Sequence, residues 1–168
     1  MKITNRLVGD HLTFRRMLKE LDHLADHPAN IRDNLKLART VEIFKDNLAL
    51  HAWIEDTFYY PVVRENLTKE SAPLTHTYMD HLDQEHHHVD SYLDQLEEEV
   101  KRQPPATYWP QTFALFAKGL LAHMKKEEEE LFPLSEKLLG VDKLEELSQT
   151  LEKRRSEAPK ARLHTQTT

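Results

Sequence analysis

Hydrophobic positions recur along this chain at steps of three and four residues, the spacing that gathers apolar side chains on one face of a helix. Four seams are legible. The first reads Leu7, His11, Phe14, Leu18, Leu21, Ala25, and the second Val41, Phe44, Leu48, His51, Glu55, Phe58, Val62. The third reads Met79, Leu82, His86, Val89, Leu93, Leu96, Val100, and the fourth Phe113, Phe116, Leu120, His123, Glu127, continued by Leu131 or Leu134. Breakers lie between them: the run from His27 to Asn30, the polar stretch from Asn66 to Pro73, the run from Gln103 to Pro110, and Gly140. The pattern predicts helices at about 4–26, 31–66, 72–102 and 108–138, a shorter fifth near 141–155, and a polar, frayed tail from Glu157. The expected fold is all-α: an antiparallel up-down-up-down four-helix bundle over 1–140, then a C-terminal helix and tail over 141–168.

Composition agrees. Only three glycines and 31% charged residues suit long helices better than sheets with tight turns. A chain of 168 residues is long enough for one domain with a real core. The absence of cysteine excludes disulfides, thiolate metal sites and iron–sulfur ligation, so any metal must be held by nitrogen and oxygen, and a reducing compartment fits. The start carries no secretory h-region and no apolar run approaches about eighteen residues, so a cytoplasmic protein without a membrane partner is expected. Lys and Arg number 23 against 29 Asp and Glu, for a net charge of −6, and the basic residues are interspersed with acids. Nucleic acid is thereby disfavoured as a partner. No oligomeric state follows from the sequence.

The seams are interrupted by polar residues, and there the chemistry lies. Eleven histidines scattered at random would place about three on seam positions, so their number says little and their placement decides. Each of the four helices carries one seam histidine, and in two of them a glutamate follows four residues later, one turn on and on the same face. In an antiparallel bundle these six side chains can meet at one level of the core. An ionised carboxylate there costs several kcal/mol unless a positive partner compensates it, and no Lys or Arg sits on these seams. Two divalent or trivalent cations would supply the missing charge, with neutral imidazoles completing the coordination. The chain also repeats itself. His51-Ala-Trp-Ile-Glu55 with Pro61, and His123-Met-Lys-Lys-Glu127 with Pro133, both read H-x3-E-x5-P, 72 residues apart. Asp10-His11-x-x-Phe14 and Glu85-His86-x-x-Val89 repeat more weakly, each with leucines seven and ten positions after the histidine. A pseudo-twofold site between the halves is implied.

These residues resemble the hemerythrin-like, or HHE cation-binding, domain over about residues 4–138. The family pattern is a histidine on the first helix, H-x3-E on the second, a histidine often written E-H on the third, and H-x3-E on the fourth, running on to Phe-Pro. It is matched by His11, by His51 with Glu55, by Glu85-His86, and by His123 with Glu127 followed by Leu131-Phe132-Pro133. The resemblance implies that His11, His51, Glu55, His86, His123 and Glu127 ligate two Fe ions, bridged by Glu55, Glu127 and an oxo or hydroxo group. Zn or Mn are the substitutes such an N/O site accepts. It further implies a partner that is a small diatomic ligand, O2 or NO, or peroxide. Leu82 stands one turn before His86, where the histidine-rich oxygen carriers hold a further imidazole, which weighs against reversible oxygen storage. The cysteine-bearing segment of members that repair iron–sulfur centres is missing, and no fused regulatory domain is visible. The sequence therefore reads first as a di-iron protein that binds or senses O2 or NO, in stress response or iron handling. The alternatives are a di-iron oxidoreductase (peroxidase, oxidase or NO-reducing), with an acid such as Glu130 moving protons, and a metal-free bundle acting through protein contacts. Ferritin-like proteins pair Glu with a His three residues on, unlike these His-then-Glu pairs.

Of the remaining conspicuous residues, His86-His87-His88 cannot all face one site, because successive helical residues point about 100° apart. Only His86 lies on the seam. His81, His87, His23, His27, His88 and His164 read as solvated, with His81 near Glu85 on the surface, and His76 stays open. In the run from Glu127 to Glu130 only Glu127 turns inward, with Glu130 as the alternative contact to a ligand. Trp53, Phe58, Tyr59, Tyr60 and Phe132 read as core or rim packing, a tyrosine hydroxyl near the site being able to hydrogen-bond a bound small molecule. Trp109 packs where the fourth helix begins.

Overall fold

The computed structural model describes residues 1–27 and 31–161, with the backbone alone for 31–33. The expected break at Pro28 to Asn30, the end of the tail and His164 lie outside the described residues. Among the described residues there are six α-helices: α1 (Ile3–Asp26), α2 (Ile31–Ile54), α3 (Tyr60–Glu65), α4 (His76–Lys101), α5 (Trp109–Lys126) and α6 (Phe132–Lys153). Two π-helical turns, Glu55–Tyr59 and Glu127–Leu131, join α2 to α3 and α5 to α6, so the bundle has four rods. α1 packs on α2 and on α5 and α6, and α4 packs on α2 and α5.

Each π turn starts on the glutamate of an H-x3-E pair. The Tyr60 amide donates to the Glu55 carbonyl and the Phe132 amide to the Glu127 carbonyl, both five residues back. The next residues, Pro61 and Pro133, have no N–H to give an α-helical bond and would crowd the carbonyl four residues earlier. The repeated proline thus explains a widened turn at the same place in both halves. Such turns cluster at functional sites.

The expected start of the third helix at 72 moves to His76. Thr75 caps it, its hydroxyl accepting from the Tyr78 amide at 3.1 Å, after a short 3-10 turn at Lys69–Ser71 capped by Thr68. At the other end, α6 runs through Gly140, whose φ of 76° and ψ of 165° only glycine adopts without strain. Beyond this bend Leu144, Leu147 and Leu151 are buried in one apolar cluster with Ile3 and Leu7 of α1.

The apolar core is cut in two. One cluster gathers Phe14, Leu48, Val89, Leu120 and Met124 with the residues behind them. The other gathers Leu7, Ile54, Leu82 and Leu131 with theirs. On every rod the seam histidine stands between one cluster and the other, so a polar layer crosses the bundle. Among the described residues, no helix is long and apolar enough to cross a membrane.

Candidate metal centre

The structure brings all six sequence-predicted residues into that layer. Glu55 and Glu127 are completely buried, as is His11, while His51 and His123 are nearly so and His86 is partly exposed. The four imidazoles turn their Nε2 atoms inward. His11 Nε2 lies 3.3 Å from His51 Nε2 and 3.2 Å from Glu127 Oε2, and His51 Nε2 lies 3.2 Å from Glu55 Oε1. Across the layer, His86 Nε2 is 3.1 Å from Glu55 Oε2 and His123 Nε2 is 3.4 Å from Glu127 Oε1.

Two sets of four result: His11, His51, Glu55 and Glu127, and Glu55, His86, His123 and Glu127. In each, one ligand atom per residue lies within 4.8 Å of all the others. Both sets share the same two carboxylates. Ligands about 2.1 Å from a common ion lie about 3.0 Å apart at right angles and about 3.4 Å apart at the tetrahedral angle. The separations above fall in or close to that range.

Unsatisfied atoms make the same point. Both Glu55 carboxylate oxygens, Glu127 Oε2 and His123 Nε2 are buried without a hydrogen-bond partner. Without a metal, the charge of these carboxylates is met only by the surrounding imidazoles, 3.1–3.4 Å away, and several kcal/mol is at stake for a buried carboxylate that loses such a partner. Nitrogen and oxygen lone pairs aimed at one small volume, with net negative charge, are what hard or borderline cations fit. The residues present therefore suit the metals that the sequence implied.

The outward Nδ1 atoms meet carboxylates. His11 Nδ1 donates to Glu128 Oε1 at 2.8 Å, His51 Nδ1 to Asp10 Oδ2 at 3.1 Å, and His123 Nδ1 to Glu85 Oε2 at 3.0 Å. His86 Nδ1 faces Asp56 Oδ1 at 3.5 Å, beyond a hydrogen bond. A carboxylate on Nδ1 holds the proton there, leaves the Nε2 lone pair free and makes the imidazole more basic toward a metal. These partners obey the repeat. His51 pairs with the acid before His11, and His123 with the acid before His86. His11 meets the acid after Glu127, and His86 the acid after Glu55.

Three readings of single residues change. Glu85 is not a surface mate of His81; it lies about 100° round the helix from His86 and faces α5, where His123 and Lys126 bind it. In the acidic run it is Glu128, not Glu130, that reaches a site histidine, and Arg15 grips it from α1 at 2.8 and 2.9 Å. Tyr60 is not mere packing. Its hydroxyl donates to Glu127 Oε1 and lies 3.4 Å from His86 Nε2. Tyr59, by contrast, bonds Ser135 and belongs to the core. The signal for the missed partners was present as an acid beside a seam residue on every rod: Asp10, Asp56, Glu85 and Glu128.

Electrostatics follow from the two carboxylates. Burial pushes the His51 imidazole down, but Glu55 and the Asp10 hydrogen bond outweigh it and hold its pKa up at about 10. Partial burial pushes His86 down, but Asp56 and Glu55 outweigh it and hold it at about 11, and His123, buried against Glu127 and Glu85, is held at about 9. Burial works against the charge of Glu127, yet His123 and His11 hold its carboxyl well below the usual range. Burial and the Glu127 charge keep the Tyr60 phenol protonated, well above its ordinary pKa.

Beside the layer sits a small cavity of about 20 Å³, lined by His51, His86 and His123 together with apolar side chains such as Leu48, Leu120 and Met124. It holds about one water-sized molecule.

The family model of the hemerythrin HHE cation binding domain matches residues 2–135. No curated protein and no solved structure matches the chain. That match spans well over half of the chain, which therefore belongs to the hemerythrin HHE cation-binding domain family.

Proposed function

We propose that this protein holds two iron ions, with His11 and His51 on one, His86 and His123 on the other, and Glu55 and Glu127 joining both, and that it binds O2 or NO there. The observation that carries this reading is the sharing of the same two buried carboxylates by two four-residue sets. Bound iron would supply redox exchange and coordination positions that six protein side chains leave open.

The chain's own residues do the rest. Glu55 and Glu127 balance the charge of the cations, and their burial between two apolar clusters keeps water from competing. The carboxylates on Nδ1 orient three of the four imidazoles. The chamber touching His51, His86 and His123 is apolar apart from those rings and Asp90 at its edge, and its size suits a diatomic molecule. Tyr60 keeps its proton and can offer it as a hydrogen bond at the Glu127 and His86 side.

Iron-loaded protein prepared without air tests this reading through its visible absorption as NO or O2 is admitted and then removed. A band that appears with either gas and disappears on degassing is the expected result. Irreversible oxidation with turnover of peroxide would favour the oxidoreductase reading. No spectral response to either gas would overturn the proposal.

A further inference from the structure

A solvent-open pocket of about 370 Å³ lies beside α2, α3 and α4, lined by Ala52, Asp56, Arg64, Asp83, His86 and Asp90 among others. Ala52, His86 and Asp90 also line the small cavity beside the metal layer. These three side chains form the wall that the small cavity shares with the solvent-open pocket.

The internal repeat shows what the wall lacks on this side. Arg15 stands four residues after His11, and Asp90 four after His86. In the first half Arg15 binds Glu128 through both guanidinium nitrogens and covers His11, which is 0% exposed. In the second half the corresponding residues are Asp90 and Asp56, two carboxylates that cannot pair, and the His86 side chain is 13% exposed. The residue after the second-rod histidine differs likewise: Met124 follows His123 and is buried, whereas Ala52 follows His51 and leaves only a methyl group in the wall. Both departures from the repeat fall at this wall.

The pocket also carries charge. Asp56, Asp83 and Asp90 face it, and the Arg64 guanidinium there is already engaged by Asp80 and Asp83. His86 and His87 complete the polar lining, so three carboxylates stand against one guanidinium, and a cleft with an excess of one sign of charge repels ions of that sign.

We infer that small molecules reach the centre through the opening at Ala52, His86 and Asp90, and that its acidic lining favours neutral molecules over anions. This rests on the small-ligand reading above. Size selection comes from the chamber and charge selection from the pocket.

Stopped-flow absorbance of the iron-loaded protein tests it, with NO as the neutral probe and azide as the anion. Ala52→Met and Asp90→Arg restore the features of the other half, the second by offering Asp56 a cation. Each is expected to slow NO association by about tenfold or more with iron content and helicity unchanged. Asp90 is an exposed position, so its variants keep the test available should Ala52→Met lose iron. Asp90→Asn is expected to speed azide more than NO, the difference shrinking at high salt. Association within about twofold of the wild type in both closing variants would overturn the route, and equal effects of Asp90→Asn on the two probes would overturn the charge selection. An iron-loaded wild type that binds neither probe would overturn this proposal together with the small-ligand reading, whereas unaltered rates in the variants overturn this proposal alone.

Discussion

Tyr60 and Phe132 occupy equivalent places in the two halves of the chain, 72 residues apart, and each stacks on a site histidine. Tyr60 lies on His86 with ring centroids 5.4 Å apart and planes 13° apart, and Phe132 lies on His11 at 5.8 Å and 24°. The rings match and the hydroxyl does not. Only the Tyr60 side presents a donor, aimed at Glu127, so the two halves of an otherwise repeated site are chemically unequal.

Tyr60→Phe removes that inequality. A hydrogen bond to a charged group contributes about 1.5–3 kcal/mol, so metal-free protein should lose stability on that scale in denaturant unfolding, because the Glu127 oxygen also loses its donor. The iron content should stay at the wild-type value. Loss of iron from this variant would mean that the phenol binds metal itself.

The carboxylates on Nδ1 should matter to affinity although they touch no metal. Partners of this kind typically contribute 10–100-fold to metal affinity, so Glu128→Ala and Asp10→Ala should each weaken binding by roughly that factor in chelator competition. Glu129→Ala, at an exposed neighbour, is the control and should bind as the wild type does. Equal affinities in all three variants would remove the carboxylates from the account.

The pH dependence of the metal-free protein has a definite sign. His51, His86 and His123 have folded pKa values raised to about 10, 11 and 9 by the surrounding carboxylates, above the ordinary value of about 6.5. Their contribution to stability is therefore complete below about pH 6.5 and is lost as pH rises through about 9 to 11. Thermal unfolding should show the metal-free protein weakening over that alkaline range, with the iron-loaded protein weakening less. For the same reason, loading at neutral pH must displace imidazole protons, so weakly buffered solution should acidify on metal addition and affinity should rise with pH. Uptake without proton release would contradict the charge balance proposed here.

Much of this is legible in the sequence alone. Seams of three and four residues locate the rods because burial of one face decides helical structure here, and His11, His51, Glu55, His86, His123 and Glu127 stand out because polar groups on a buried face need an explanation. The π turns were not legible as such. Their cause, a proline six residues after each glutamate, is in the sequence, but a change from four-residue to five-residue bonding shows only in the backbone. Nor were the Nδ1 partners, since which of four consecutive glutamates reaches across to α1 depends on how the rods face each other. Glu128 looked like any exposed acid until Arg15 and His11 were placed beside it. The expected start at 72 differs from the observed His76 because the capping hydroxyl of Thr75 sets the boundary, and a cap shows only in the backbone around it.

The central claim is that two metals share Glu55 and Glu127. Anaerobic titration of metal-free protein with ferrous iron, followed by analysis of bound iron per chain and by magnetic spectroscopy of the oxidised form, tests it most directly. The account predicts two irons per chain whose spins are coupled, with Glu55→Ala and Glu127→Ala each disrupting both positions rather than one. A single iron per chain, or two uncoupled irons of which each glutamate variant removes only one, would contradict it.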